Sequence, residues 1–242
     1  MSDKVGCIIP ARYESSRLPG KPLIDLNGKP MIVRVAERVK KTDIHPVLVA
    51  TDSNEIARVC HEYGITYAMT SEFETGSDRV ASVTITQGLD YWINVQGDEP
   101  LLPLDNIEKV KEELLTKKYD VVNAMTIATY EDITDDTVVK VATNRENRLI
   151  YMSRHPIPFS KNEADVVRYK QVGVYGFSFS ALKRYHHSQR GKLELSEDVE
   201  ILRFVENGIP VQMVEVDEGS ISVDTEKDAE KVRNKIFNDK GG

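Results

Sequence analysis

The sequence predicts an α/β fold, with a mostly parallel central sheet, helices on both faces and a smaller inserted α+β lobe. Three observations predict it. From Val5 to Ile127, short β-rich runs alternate with amphipathic helical stretches, the pattern of a sheet wound with helices. A loop rich in prolines and glycines follows the first β-rich run. After Ile127 the periodicity becomes irregular before a last strand and helix close the chain.

The β-rich runs are Val5 to Ile9, Val47 to Thr51, Thr66 to Met69, Tyr91 to Val95 and Val121 to Ile127. Between them, apolar residues recur three or four apart at Met31 to Lys41, Asn54 to Tyr63, Ser77 to Gln87 and Leu104 to Lys117, the helical period. The loop from Pro10 to Pro30 holds too many breakers for regular structure. In open α/β sheets ligands lie beyond the carboxyl ends of the strands, so this loop and the one after Val95 are the expected walls of a site. Beyond Ile127 we expect a strand at Thr137 to Val141, a proline-broken stretch at Ser153 to Pro158 and a strand at Gln171 to Phe177. Helices are expected at Ala181 to His187 and at Glu197 to Asn207, the latter stopped by Gly208. A strand at Val211 to Val216, the segment Ile221 to Asp224 and a helix from Thr225 complete the chain. The whole of 1–242 reads as one domain: 1–128 mainly for a nucleotide, 129–215 for an acceptor and dimerisation, and 216–242 as a closing segment.

Composition narrows the function classes. A net charge of -7 argues against sequence-independent nucleic-acid binding, which needs cations facing phosphates. No apolar run approaches the ~20 residues that span a bilayer, and the N-terminus lacks a secretory signal pattern, so a cytoplasmic protein is expected. The two cysteines, Cys7 in a strand and Cys60 in a helix, read as reduced core thiols. His45, His61 and His155 lack partners at ligand spacing, and His186 and His187 read as surface groups offsetting a helix C-terminus.

Chemistry concentrates in the first loop, where Arg12, Arg17 and Lys21 fall within one turn-rich segment. Guanidinium forks and backbone N–H groups in such a loop suit a triphosphate; a solvated basic loop is the plain alternative. Asn94-Val95-Gln96-Gly97-Asp98 puts a carboxylate just past a central strand. Mg²⁺ takes one or two carboxylates together with phosphate oxygens and water, and Asp224, before the last helix, is the partner we favour. Each aspartate has a plain alternative: Asp98 as a turn former, Asp224 as the N-cap of the final helix.

The segments Ile8 to Tyr13, Ser16 to Leu23, Gly28 to Met31, Val49 to Asp52, Asn94 to Pro100, Ser153-Arg154, Pro156 to Pro158, Val172 to Tyr175 and Val223 to Thr225 together resemble the 3-deoxy-manno-octulosonate cytidylyltransferase family, in family order over nearly the whole chain. The resemblance implies a Rossmann-like nucleotidyltransferase fold and transfer of CMP from CTP to the anomeric hydroxyl of a 3-deoxy-2-ulosonic acid, with Mg²⁺ as cofactor. It implies Ala11, Arg12, Ser16, Arg17, Lys21, Ser77, Arg79 and Gln96 around CTP, and Asp98 and Asp224 as metal ligands. Arg17, Lys21, Asp98 and Asp224 are then the catalytic set. Gln96, Arg154, Gln171, Glu197 and Glu200 are expected at the acceptor, with Arg154 capturing a carboxylate. The partners implied are CTP, a small sugar acid and a second copy of the chain in a homodimer, with neither nucleic acid nor membrane. Two positions depart from the family pattern. Gln171 stands where histidine is common and Ile201 where glutamine is, so an acceptor differing from the ordinary one in a substituent is expected. A sugar phosphate or phosphonate acceptor stays open, because Arg154 suits all three anions.

Overall fold

The structure is a computed structural model and describes residues 4–15, 18–161 and 166–239. In chain order its elements are β1 (Val5–Ala11), a 3-10 turn (Lys21–Leu23), α1 (Met31–Val39), β2 (Val47–Thr51), α2 (Asn54–Glu62), β3 (Tyr67–Met69), α3 (Gly76–Thr84), β4 (Tyr91–Val95), α4 (Leu104–Leu115), β5 (Val121–Ile127), α5 (Tyr130–Thr134), β6 (Lys140–Thr143), β7 (Leu149–Ser153), β8 (Tyr169–Ser178), α6 (Phe179–His187), α7 (Lys192–Glu197), α8 (Leu202–Glu206), β9 (Val211–Glu215) and α9 (Glu226–Asp239). None of the described helices is long and apolar enough to cross a membrane.

The chain divides into two compact units, one of Met1–Leu104 with Ser220–Gly242, the other of Asp105–Gly219. The first carries an all-parallel sheet in the order β3-β2-β1-β4, with Cys7 beside Val47 and Ile93. Every residue of β1 and β2 is buried, as strands covered on both faces require. Helix α1 buries Met31, Ile32, Val33, Val35, Ala36 and Val39. Ser53 caps α2 by accepting from the Ile56 N–H at 3.3 Å. Cys7 and Cys60 are buried free thiols, and burial pushes Cys60 up to about 11 and Cys7 further still, so neither is a ready nucleophile.

In the second unit β5 lies between antiparallel β8 and parallel β9, while β6 pairs antiparallel with β7 and β8. This unit begins at Asp105. The cause is packing: a Cβ at Gly176 of β8 would meet Val110 and Leu114 of α4 at 3.0 and 3.1 Å, so α4 belongs with the strands that follow it. The strand expected from Thr137 starts at Lys140 instead, since Thr137 donates its hydroxyl and N–H to Asp135 Oδ1 at 2.6 and 2.8 Å in a turn. The helix expected over Glu197 to Asn207 starts only at Leu202 as α8, because Glu197 ends the preceding α7 and Asp198 adopts the left-handed conformation at φ 51°.

Candidate active site

Three chain segments of the first unit meet around one ammonium group. The loop after β1 is closed by Gly20 at φ 68°, a left-handed position that glycine takes without steric cost. Gly20 N–H donates to the Tyr13 carbonyl at 3.2 Å and Lys21 N–H to that of Leu18 at 3.1 Å, which fixes the start of the 3-10 turn. The turn after β4 lies close against β1, since a Cβ at Gly97 would sit 2.7 Å from the Pro10 carbonyl oxygen. The C-terminal segment joins through Val223, whose N–H donates to the Asp98 carbonyl at 2.9 Å. Val223 is anchored in turn by a buried cluster with Leu26, Met31, Ala229, Val232 and Ile236.

The result is a carboxylate pair drawn together from distant sequence. Lys21 Nζ donates to Asp98 Oδ2 at 2.7 Å and to Asp224 Oδ1 at 3.0 Å, and the lysine side chain is 17% exposed. Burial is the largest influence on Lys21 and works against its charge, but Asp98 and Asp224 outweigh it and hold the ammonium above the usual lysine range. The capping role considered for Asp224 belongs to its neighbour. Thr225 Oγ1 accepts from the Asp228 N–H at 3.3 Å, and Asp228 Oδ2 accepts from the Thr225 N–H at 3.2 Å. Asp98 and Asp224 are therefore the residues that could hold a divalent ion; no group of three or more His, Cys, Asp or Glu side chains does so among the described residues.

The other residues expected around a nucleotide are placed unevenly. Ala11 is buried at the end of β1, Arg12 is exposed and Gln96 is half-buried, while Ser16 and Arg17 lie outside the described residues. Ser77 is 1% exposed in the first turn of α3, and the cap of that helix is Thr75, which accepts from the Asp78 N–H at 3.1 Å. Arg79, expected around the nucleotide, is held inside the first unit. It is 2% exposed, donates to the Asp52 carboxylate and the Thr70 hydroxyl, and reaches the Ser71 carbonyl at 3.4 Å. Its guanidinium braces the loops that follow β2 and β3. Asn94 in β4 was missed: it is fully buried, and neither side-chain polar atom has a hydrogen-bond partner among the described residues.

In the second unit, Arg154 and Glu197 brace each other. Arg154, expected to capture a carboxylate, donates its Nε to the Glu197 carbonyl at 2.7 Å and its terminal nitrogens to the carbonyls of Asp136, Thr137 and Asp198 at 3.2 to 3.3 Å. Glu197 accepts from the Tyr151 and Ser153 hydroxyls at 3.1 and 2.8 Å and from the Arg154 N–H at 2.8 Å. Burial works most strongly against its charge, yet these donors hold its carboxyl below the usual range. Lys140, fully buried, donates to the Asp135 and Val138 carbonyls at 2.7 Å each. Two cations thus pin the 135–138 turn, which no spacing in the sequence signals. Gln171 Nε2 donates to Asn123 Oδ1 at 2.9 Å, Glu200 is half-buried, and Ile201 is 1% exposed. The departure at Ile201 therefore falls at a buried position.

A parallel sheet whose strand ends carry a cationic loop and a carboxylate pair defines an α/β nucleotidyltransferase. The same fold is found in a Bacillus anthracis protein described as a glucose-1-phosphate thymidylyltransferase, at a TM-score of 0.69 and 16% identity over 95% of this chain and 94% of the other. A more similar solved structure is CMP:2-keto-3-deoxy-manno-octonic acid synthetase complexed with CTP, at a TM-score of 0.93 and 33% identity over 98% of this chain and 100% of that one. Curated 3-deoxy-manno-octulosonate cytidylyltransferases of Christiangramia forsetii and Polynucleobacter asymbioticus are 37% and 38% identical, over 96% of this chain and 96% and 95% of theirs. With the profile of the cytidylyltransferase family matching residues 6–217, the chain belongs to that family, among the 3-deoxy-manno-octulosonate cytidylyltransferases.

Proposed function

We infer that this chain transfers CMP from CTP to the anomeric hydroxyl of 3-deoxy-manno-octulosonate and releases pyrophosphate. The observation that carries the reading is the meeting of Asp98 and Asp224 on one cation in the loop after β1. The pair suits Mg²⁺, which takes one or two carboxylates and completes its shell with phosphate oxygens and water; the place between them already accommodates a positive charge. When bound, the ion supplies Lewis-acid polarisation of the α-phosphate and a lowered pKa for the attacking hydroxyl.

The chain's own residues do the rest. Asp98 and Asp224 present hard oxygen donors from two segments that the Val223 N–H bond to Asp98 holds side by side. Arg12 and Arg17 grip the triphosphate, and Lys21 neutralises charge growing on the leaving pyrophosphate. The acceptor oxygen attacks the α-phosphorus in line, the bond to the bridging oxygen breaks, and the hydroxyl proton passes to solvent. No covalent enzyme intermediate is needed. In the second unit, Arg154 and Glu197 shape the acceptor surface through the 135–138 turn. A homodimer belongs to the same reading, supported by the exposed apolar side chains Ile127, Ile150 and Phe159.

Asp98→Ala and Asp224→Ala are expected to lower pyrophosphate release from CTP and 3-deoxy-manno-octulosonate by at least about 100-fold, with unfolding transitions close to that of the parent. Near-normal turnover in either variant would overturn the assignment.

A further inference from the structure

We propose that Lys21 is the resting occupant of the cation position between Asp98 and Asp224, so that a divalent ion enters there only together with a nucleoside triphosphate that takes over the displaced ammonium. The inference rests on the metal-site reading given above and adds to it an order of events. Lys21 does not merely lie near the carboxylates; its one nitrogen donates to an oxygen of each, at 2.7 and 3.0 Å. An ammonium and a divalent ion cannot both occupy the space between the same two oxygens, because like charges in contact repel strongly at partly buried positions.

Charge accounting gives the direction. The ammonium already offsets carboxylate charge at this place, so a divalent ion added alone would bring further positive charge into a partly desolvated position. A triphosphate arriving with the ion reverses this, since its oxygens accept the ammonium that the carboxylates release. The geometry permits the exchange. The backbone of Lys21 is pinned by its N–H bond to Leu18 and by the Leu23 N–H bond to Gly20 at 2.8 Å. The flexible four-carbon stem can therefore swing its charge without moving the turn. A lysine held in this way keeps the site from binding a divalent ion unproductively and couples metal affinity to nucleotide affinity, an effect that is reciprocal.

The test is Mn²⁺ binding, read from the free-ion electron paramagnetic resonance signal. Without nucleotide, Lys21→Met is expected to bind Mn²⁺ at least about tenfold more tightly than the parent protein, and Mn²⁺ is expected to raise the melting temperature of the variant but not of the parent. Equal affinities would overturn the proposal. If Lys21→Met fails to fold without metal, Lys21→Gln is read the same way. A separate arm measures the parent with a non-hydrolysable CTP analogue, alongside Asp98→Asn and Asp224→Asn. A nucleotide-dependent Mn²⁺ site that both aspartate variants lose, combined with no gain in the lysine variants, removes the exchange and leaves the metal reading standing. No aspartate-dependent site even with the nucleotide analogue removes both.

Discussion

A methyl group at Gly97 would lie 2.7 Å from the Pro10 carbonyl oxygen, a backbone atom with little room to yield. The absent side chain is what lets the turn bearing Asp98 close against the end of β1. Gly97→Ala is therefore expected to cost about 1–3 kcal/mol, as overpacking does, and to lower turnover more than a mutation of equal cost elsewhere, because it shifts Asp98. Urea unfolding read beside pyrophosphate release checks this; a loss of stability with turnover intact would contradict the positional role. Single residues were also where the sequence said least about partners. An arginine in a motif looks the same whether its fork faces a ligand or a carbonyl. Arg79 is buried against Asp52 and Thr70, and Arg154 spends its donors on four backbone carbonyls; those acceptors come from segments that no spacing rule ties to the arginines.

Among the elements, α9 has no residue in the carboxylate pair, yet it decides where Asp224 stands. Its Ala229, Val232 and Ile236 pack with Val223, Leu26 and Met31, and Val223 carries the main-chain bond to Asp98. Ile236→Ala is expected to cost about 2–5 kcal/mol and to weaken Mn²⁺ binding in the presence of nucleotide, although no ligand is touched. Chemical denaturation with a binding titration measures both effects, and unchanged binding would show that Asp224 is placed by other means. The helices of the first unit were legible to within a few residues because their apolar positions repeat every three or four. The late start of α8 in the second unit was not, since the left-handed Asp198 stands at the head of the expected helix and its own residue type gives weak warning.

At the scale of the whole molecule, acid stability follows from carboxylates held below their ordinary range. For Glu197 and for Asp132, burial is the largest influence and raises the pKa; donors from Arg154, Ser153 and Tyr151 in one case, and Lys170 and Thr129 in the other, outweigh it. A depressed folded pKa contributes stability that is fully present above the unfolded values, 4.5 and 3.8, and is lost as pH falls through the folded ones. The stability gap between the parent and Glu197→Gln is thus expected to be constant from neutral pH to about 5 and to narrow below 4. Urea midpoints across that range measure it, and a gap that widens toward acid would contradict the assignment.

The sequence by itself determined the alternation of strands and helices and the cationic loop, and it singled out two candidate aspartates, because these depend on local period, on glycine and proline, and on short motifs. Only the tertiary structure decided that Asp98 and Asp224 share one ammonium, that Arg79 is buried against Asp52, and that Arg154 donates to four backbone carbonyls. Each of these depends on which distant backbone and side-chain atoms come into contact, and contact between remote segments is fixed by packing of the whole chain rather than by any local pattern.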